Sequence, residues 1–313
     1  MRKHLNGLVA APFTPMNMSG NLNLSLIPDY YLFLKQNGVR GAFICGTTGE
    51  GVSLTLAEKK AVCNAWCSAT TDDKDFKVIL FVGGTCIADC KKLALYAHKK
   101  GLFAVSFAPP FYFKPKDIDI LTSCCKEIAQ AVPEMPFYFY HIPDLTGVDF
   151  PMIDLLKNVD GKISNFAGIK YTAGNFMDYL SCLHFRDGKY DMLWGRDENL
   201  LSALVLGCKG AVGSTYNYAT PLYLRIINAF RATNLDEARR LQQQSVDMIS
   251  LLSKYGGIAT GKSYMKLIGL DCGAFRLPVK NMTDKEFELF KEDAAKINFQ
   301  DFCSVMKSFT YKE

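Results

Sequence analysis

Hydrophobic positions along the chain alternate between two patterns. Short runs that are apolar at nearly every position occupy 7–11, 41–45, 77–82, 104–108, 137–140, 166–170, 192–194 and 210–213. Each is rich in β-branched or aromatic residues and too short for a helix, which is how parallel strands covered on both faces read. Between the runs, apolar residues return at helical spacing. Thr55-Leu56-Ala57-Glu58 is a capping box: hydroxyl and carboxylate each satisfy a free backbone N–H, opening a helix that reaches about residue 68. Residues 117–131, 198–206 and 221–232 carry the same helical pattern. Gly38, Gly101 and Gly207 stand where helix C-terminal caps would precede the next run.

About eight strand–helix units fit into the first 232 residues, which matches a (β/α)8 TIM barrel. A doubly wound sheet would have fewer strands and a glycine-rich phosphate loop after the first. Here the first run is followed by PFTPMNMSGN, which is no such loop. The expected division is a barrel over 1–232 and a helical extension over 233–313. In that extension DEARRLQQQSVDMISLLSK and DKEFELFKEDAAKI each have one apolar face, so it should pack on the barrel rather than fold alone.

Composition narrows the class. Of 313 residues 49% are hydrophobic, and the net charge of +5 is spread without a dense Lys/Arg block. That reads as a solvated surface, with neither nucleic acid nor membrane as partner. The N-terminal MRKHLNGLVAAPFTP is too short in apolar residues for a secretory signal, and no run reaches the roughly 18 apolar residues of a membrane span. Eleven cysteines in such a chain point to reduced thiols in the cytoplasm. Cys63/Cys67 and Cys86/Cys90 are four apart on expected helices, where packing is the simpler role than metal binding. The glycosylation sequons at Asn17, Asn23 and Asn281 would then be unused.

In a barrel of this kind the active site lies at the C-terminal ends of the strands. The polar residues there are Thr47 and Thr48 in CGTTGEG, Tyr140 in FYFYHIP, Lys170 in GIKYTAG, Asp197 and Glu198 in WGRDE, and Ser214 in AVGSTYN. Lys170 ends a buried strand, where a charged amine is costly unless it pairs with a carboxylate or does chemistry. A desolvated amine can attack a carbonyl to form a Schiff base, and the Tyr140 phenol could carry the protons. The GTTG turn offers backbone N–H groups and two hydroxyls suited to a carboxylate. Amine, phenol and carboxylate cradle together describe a site for a 2-oxo acid. Asp197 and Glu198 read equally as the start of a helix or as acceptors for sugar hydroxyls. His141 should face away from Tyr140 on its strand and pack. His98 reads as surface, and His4 and His184 have no partner motif. No HxH, HExxH or carboxylate cluster suggests a metal, and no cofactor is expected.

In order and spacing, GTTGEG, FYFYHIP, GIK and GAVGSTYN resemble one family across essentially the whole chain: the pyruvate-dependent class I aldolases and lyases related to dihydrodipicolinate synthase. Within it, YHIPDLTGV, GRDENLLSALVLG and GAVGSTYNY are similar to the sialic acid-cleaving branch. The resemblance implies that Lys170 is the Schiff-base lysine, Tyr140 the proton carrier, and Thr47 and Thr48 the holders of the substrate carboxylate. It places Thr172, Gly195, Asp197, Glu198 and Ser214 on the hydroxyls and glycerol tail of the sugar. It also implies a homotetramer in which Tyr112 of one subunit reaches the catalytic tyrosine of another. Leu145 stands where the dihydrodipicolinate synthases have an arginine for their second substrate's carboxylate, and an isobutyl group removes that recognition. Two departures from the branch's pattern, Asp144 and Arg196, bear on substrate preference. The alternatives are another 2-keto-3-deoxy acid aldolase, a condensing synthase, or a non-catalytic sialic acid sensor, although binding alone would not require a buried amine.

Overall fold

A computed structural model describes residues 4–306. The outermost residues of the expected 1–232 and 233–313 division therefore lie outside the described residues. Eight parallel strands close into a barrel in sequential order: β1 (Gly7–Ala10), β2 (Gly41–Ile44), β3 (Lys77–Phe81), β4 (Ala104–Phe107), β5 (Phe137–His141), β6 (Phe166–Tyr171), β7 (Asp191–Trp194) and β8 (Gly210–Gly213). All eight coincide with the apolar runs to within a residue or so at each end.

Successive side chains on a strand point to opposite faces, and both faces are buried here. Val9, Phe43, Ile79, Phe81, Tyr138, Tyr140, Leu193 and Val212 fill the interior. Their neighbours Leu8, Ile44, Leu80, Phe107, Phe139, Ile169, Tyr171 and Trp194 meet the surrounding helices. Lys170 therefore faces inward between outward-facing Ile169 and Tyr171, and the β5–β6 register sets it beside Tyr140.

The helices start where their caps dictate. The Thr55/Glu58 box opens Leu56–Ala69, and Asp117 caps Ile118–Ala129 by accepting from the Ile120 N–H at 2.8 Å. Cys86 is the residue before the helix Ile87–Lys99 rather than part of it, so only Cys90 of that pair packs inside. All eleven cysteines are free.

Beyond β8 and the helix Thr220–Arg231 come, among the described residues, three further α-helices: Leu235–Lys254, Ala259–Leu267 and Asp284–Lys296. The first and last follow the two amphipathic stretches. The middle one had no apolar stripe to announce it. Its Tyr264 stacks on Tyr218, just past β8, and meets Phe290 and Phe299 at 4.7 Å, so one aromatic cluster spans barrel and extension. Among the described residues no helix is long and apolar enough to cross a membrane.

Candidate active site

The C-terminal mouth of the barrel brings Lys170, Tyr140 and Thr47 into one cluster. Lys170 is only 4% exposed, and its Nζ lies 4.0 Å from the Tyr140 ring centroid and 4.2 Å from that of Phe43. Among the described residues the amine enters no ion pair, so its neighbours are π faces rather than carboxylates. Ring faces stabilise a cation far less than a buried carboxylate would, and they leave the nitrogen without a side-chain acceptor that a ligand would have to displace. Phe43 and Phe81 pack edge-on against Tyr140 at 5.5 and 5.8 Å, holding its ring in place. The Tyr140 hydroxyl lies 3.4 Å from Thr47 Oγ1, which joins the phenol to the GTTG turn. Thr48 is buried beside it. Neither Phe43 nor Phe81 stood out in the sequence, where each reads as one more apolar strand residue.

On the other side of the amine, the β5–β6–β7 ladder runs one residue past the strands. The Thr172 N–H donates to His141 O at 2.8 Å, and the Gly195 N–H to Tyr171 O at 2.8 Å. A Cβ at Gly195 would come within 2.0 Å of Thr172 Oγ1, so only glycine lets these two ends approach. Asp197 is buried and begins a short 3-10 turn (Asp197–Asn199) that runs into the helix Leu200–Val205. Its Oδ2 accepts from the Thr215 N–H at 3.0 Å and from the Thr215 hydroxyl at 2.7 Å. Burial pushes the Asp197 carboxyl up to about 6 even though the Thr215 bonds lower it.

Thr172 Oγ1 and Arg196 Nε are buried with no partner among the described residues, and Asp197, whose Oδ1 takes no bond from Thr215, has the buried Tyr216 hydroxyl beside it. Orphaned buried donors and acceptors are rare in folded proteins, and a pair of them at the ends of β6 and β7 is what a polyhydroxyl ligand would satisfy. Glu198 and Ser214 are half-buried at the same rim. Asn217, unnoticed in the sequence, fastens the Ser214 loop by donating to Ala11 O and Ser214 O at 2.7 Å each.

Asp144 and Arg196 turn out to be partners. Arg196 pairs with Asp144 and lies 3.5 Å from Glu198. Because β6 lies between β5 and β7, this pair straps the mouth above the strand that carries Lys170. Leu145, at 63% exposure, borders the opening. His141 faces outward as expected, its ring 5.1 Å from that of Tyr171. Burial pushes it down to about 4, against the pull of Asp149, so it is a neutral packing residue near pH 7. Tyr112 is not brought to the site within one chain: it is 78% exposed, edge-on to Phe113. Among the described residues, no three His, Cys, Asp or Glu side chains are grouped as metal ligands.

The chain belongs to the dihydrodipicolinate synthetase family, whose model matches residues 4–297. It is similar to N-acetylneuraminate lyase of Homo sapiens, with 38% identity over 307 residues covering 97% of this chain and 95% of that one. Among solved structures it resembles N-acetylneuraminate lyase of Proteus mirabilis at 35% identity and a TM-score of 0.92, covering 95% of this chain and 100% of the other. The N-acetylneuraminate lyase (sialic acid aldolase) of Aliivibrio salmonicida is comparable, at 36% identity and a TM-score of 0.92, covering 95% and 98%.

Proposed function

We propose that the chain is a class I aldolase that cleaves N-acetylneuraminate to N-acetylmannosamine and pyruvate. The observation that carries this is a buried lysine, unpaired with any carboxylate, in contact with a positioned phenol at the mouth of a closed barrel. The relatives and solved structures above bear the same activity in their names.

Lys170 Nζ attacks the C2 ketone of the open-chain sugar, and loss of water leaves an iminium that serves as an electron sink. The Tyr140 oxygen, assisted by the substrate carboxylate, takes the proton from the C4 hydroxyl. The C3–C4 bond then breaks, its electron pair entering the iminium to give an enamine as C4 becomes the aldehyde of N-acetylmannosamine. A proton returned to C3 yields the pyruvate imine, and water releases pyruvate and the free amine. Thr47 and Thr48 hold the carboxylate, while Thr172, Gly195, Asp197, Glu198 and Ser214 hold the polyol. The lysine supplies the sink, so no cofactor is invoked.

We place the enzyme in the cytoplasm as a homotetramer, its exposed Phe111, Tyr112 and Phe113 turned toward a neighbouring subunit. The test is a panel of keto acids read by pyruvate release, beside condensation of pyruvate with aspartate semialdehyde. The proposal expects cleavage of N-acetylneuraminate and negligible condensation, because Leu145 cannot hold the semialdehyde carboxylate. A preference for aspartate semialdehyde would overturn it.

A further inference from the structure

Lys262 of the helix Ala259–Leu267 forms a buried ion pair with Glu50, 2.9 Å between Nζ and Oε1, with the side chains only 3% and 4% exposed. The partners are 212 positions apart in the chain. Both ends are otherwise satisfied. Lys262 Nζ also donates to Ala274 O at 2.8 Å and lies 4.6 Å from the Phe275 ring centroid. The second Glu50 oxygen accepts from the Arg276 N–H at 2.9 Å.

A buried ion pair is a poor device for stability alone, because desolvation of the two ions consumes most of their attraction. What this one holds is informative. Glu50 has φ 56° and ψ 28°, the left-handed region that a side chain enters only when its surroundings over-determine it. It comes two residues after Thr48, and its N–H closes the turn onto Thr47 O at 3.1 Å. The far side of that turn is fixed by Thr14, whose hydroxyl donates to Gly49 O at 2.6 Å. The Arg276 guanidinium tethers the following segment through Glu58 and donates to Ser53 O at 3.2 Å.

We propose that Lys262 is a positioning residue for the substrate carboxylate: acting through Glu50, it holds the Thr47–Thr48 turn, so the C-terminal extension is a working part of the binding site. The inference rests on the proposed role of Thr47 and Thr48. Without the ammonium the direct bond from the extension to Glu50 is lost, and the left-handed residue and the turn it closes are no longer held in place, whether position 50 stays charged or is neutral. Thr47 would then leave both the carboxylate position and the Tyr140 hydroxyl, and displacements of about 1 Å in such groups have large effects on binding and rate.

The experiment is borohydride trapping of pyruvate on the full-length protein, read as the pyruvate concentration giving half-maximal adduct. The variants are Lys262→Met and the doubly neutralised Glu50→Gln/Lys262→Met, each checked for folding by circular dichroism. In Lys262→Met the half-saturating pyruvate concentration should rise at least about tenfold, further than any change in the trapping rate at saturation. In the double variant, which leaves no orphaned charge, stability to urea should recover toward wild type while the pyruvate requirement stays raised. A folded double variant that traps pyruvate at wild-type concentrations overturns the inference, whether or not the single variant folds. A wild-type protein that traps no pyruvate at all overturns the carboxylate-cradle reading beneath it.

Discussion

Replacing Asp197 by asparagine should make the protein more stable and a worse enzyme. The carboxylate is fully enclosed, and burial raises it from its ordinary 3.8 to about 6. At about 1.4 kcal/mol per unit, keeping it ionised above pH 6 costs the fold roughly 3 kcal/mol relative to the unfolded chain. Asparagine has the same shape, and its carbonyl can still accept from Thr215, although two charge-assisted bonds become ordinary ones. The net gain should therefore be on the order of 1–2 kcal/mol at pH 7.5. The sign of the pH dependence follows from the raised folded value. The wild-type protein is not penalised below the unfolded value near 4 and loses stability as pH rises through about 6. The advantage of the variant should thus be present above pH 6 and vanish near pH 4. Urea denaturation at both pH values measures this, and sialic acid cleavage measured alongside should fall by the equivalent of about 1–3 kcal/mol, because the amide places a donor where the second carboxylate oxygen is an acceptor. A variant less stable than wild type at pH 7.5, or one cleaving sialic acid normally, would refute the reasoning.

The remaining predictions use other parts of the site. Tyr140→Phe should still bind pyruvate but turn over at least about 10²-fold slower, as for loss of a positioned proton carrier; near-normal turnover would mean that the phenol merely packs. His141 carries the opposite pH sign to Asp197: held neutral down to about 4, it costs stability as pH falls from about 6.5 to 4, by up to roughly 3 kcal/mol. A His141→Gln variant should therefore lose less stability on acidification than wild type, as read by urea midpoints, and an equal loss would contradict the assignment. Asp144→Ala, which breaks a pair with a 66% exposed carboxylate, should change stability by less than about 1 kcal/mol while altering KM for sialic acid. An unchanged KM would mean that the strap across the mouth is idle.

The barrel was legible because a strand buried on both faces leaves a short, continuous apolar signature, and the eight of them occur in order. Lys170 was legible for the complementary reason, as a charge breaking such a run. The helix Ala259–Leu267 was not, since its buried face carries Thr260 and Lys262 and so shows no apolar stripe. The Glu50–Lys262 pair spans most of the chain, and nothing local tells which of many charges will meet. The Asp144–Arg196 pair was half visible: both residues stood out as departures, but only the neighbouring positions of β5, β6 and β7 explain why they occur together. Asp197 stood out by its position at the end of a strand, whereas its bonds to Thr215 depend on how closely the β7 and β8 ends approach. A Cβ at Gly213 would come within 1.8 Å of Asp197 Oδ1.

The most direct test of the account is the location of the covalent intermediate. The protein is incubated with N-acetylneuraminate and borohydride, digested, and its lysines are surveyed by mass spectrometry. The account predicts a reduced pyruvyl adduct on Lys170 Nζ, loss of activity in step with its formation, and full activity of the untreated enzyme in the presence of EDTA. An adduct on a different lysine, or cleavage that proceeds with no adduct on Lys170, would contradict it.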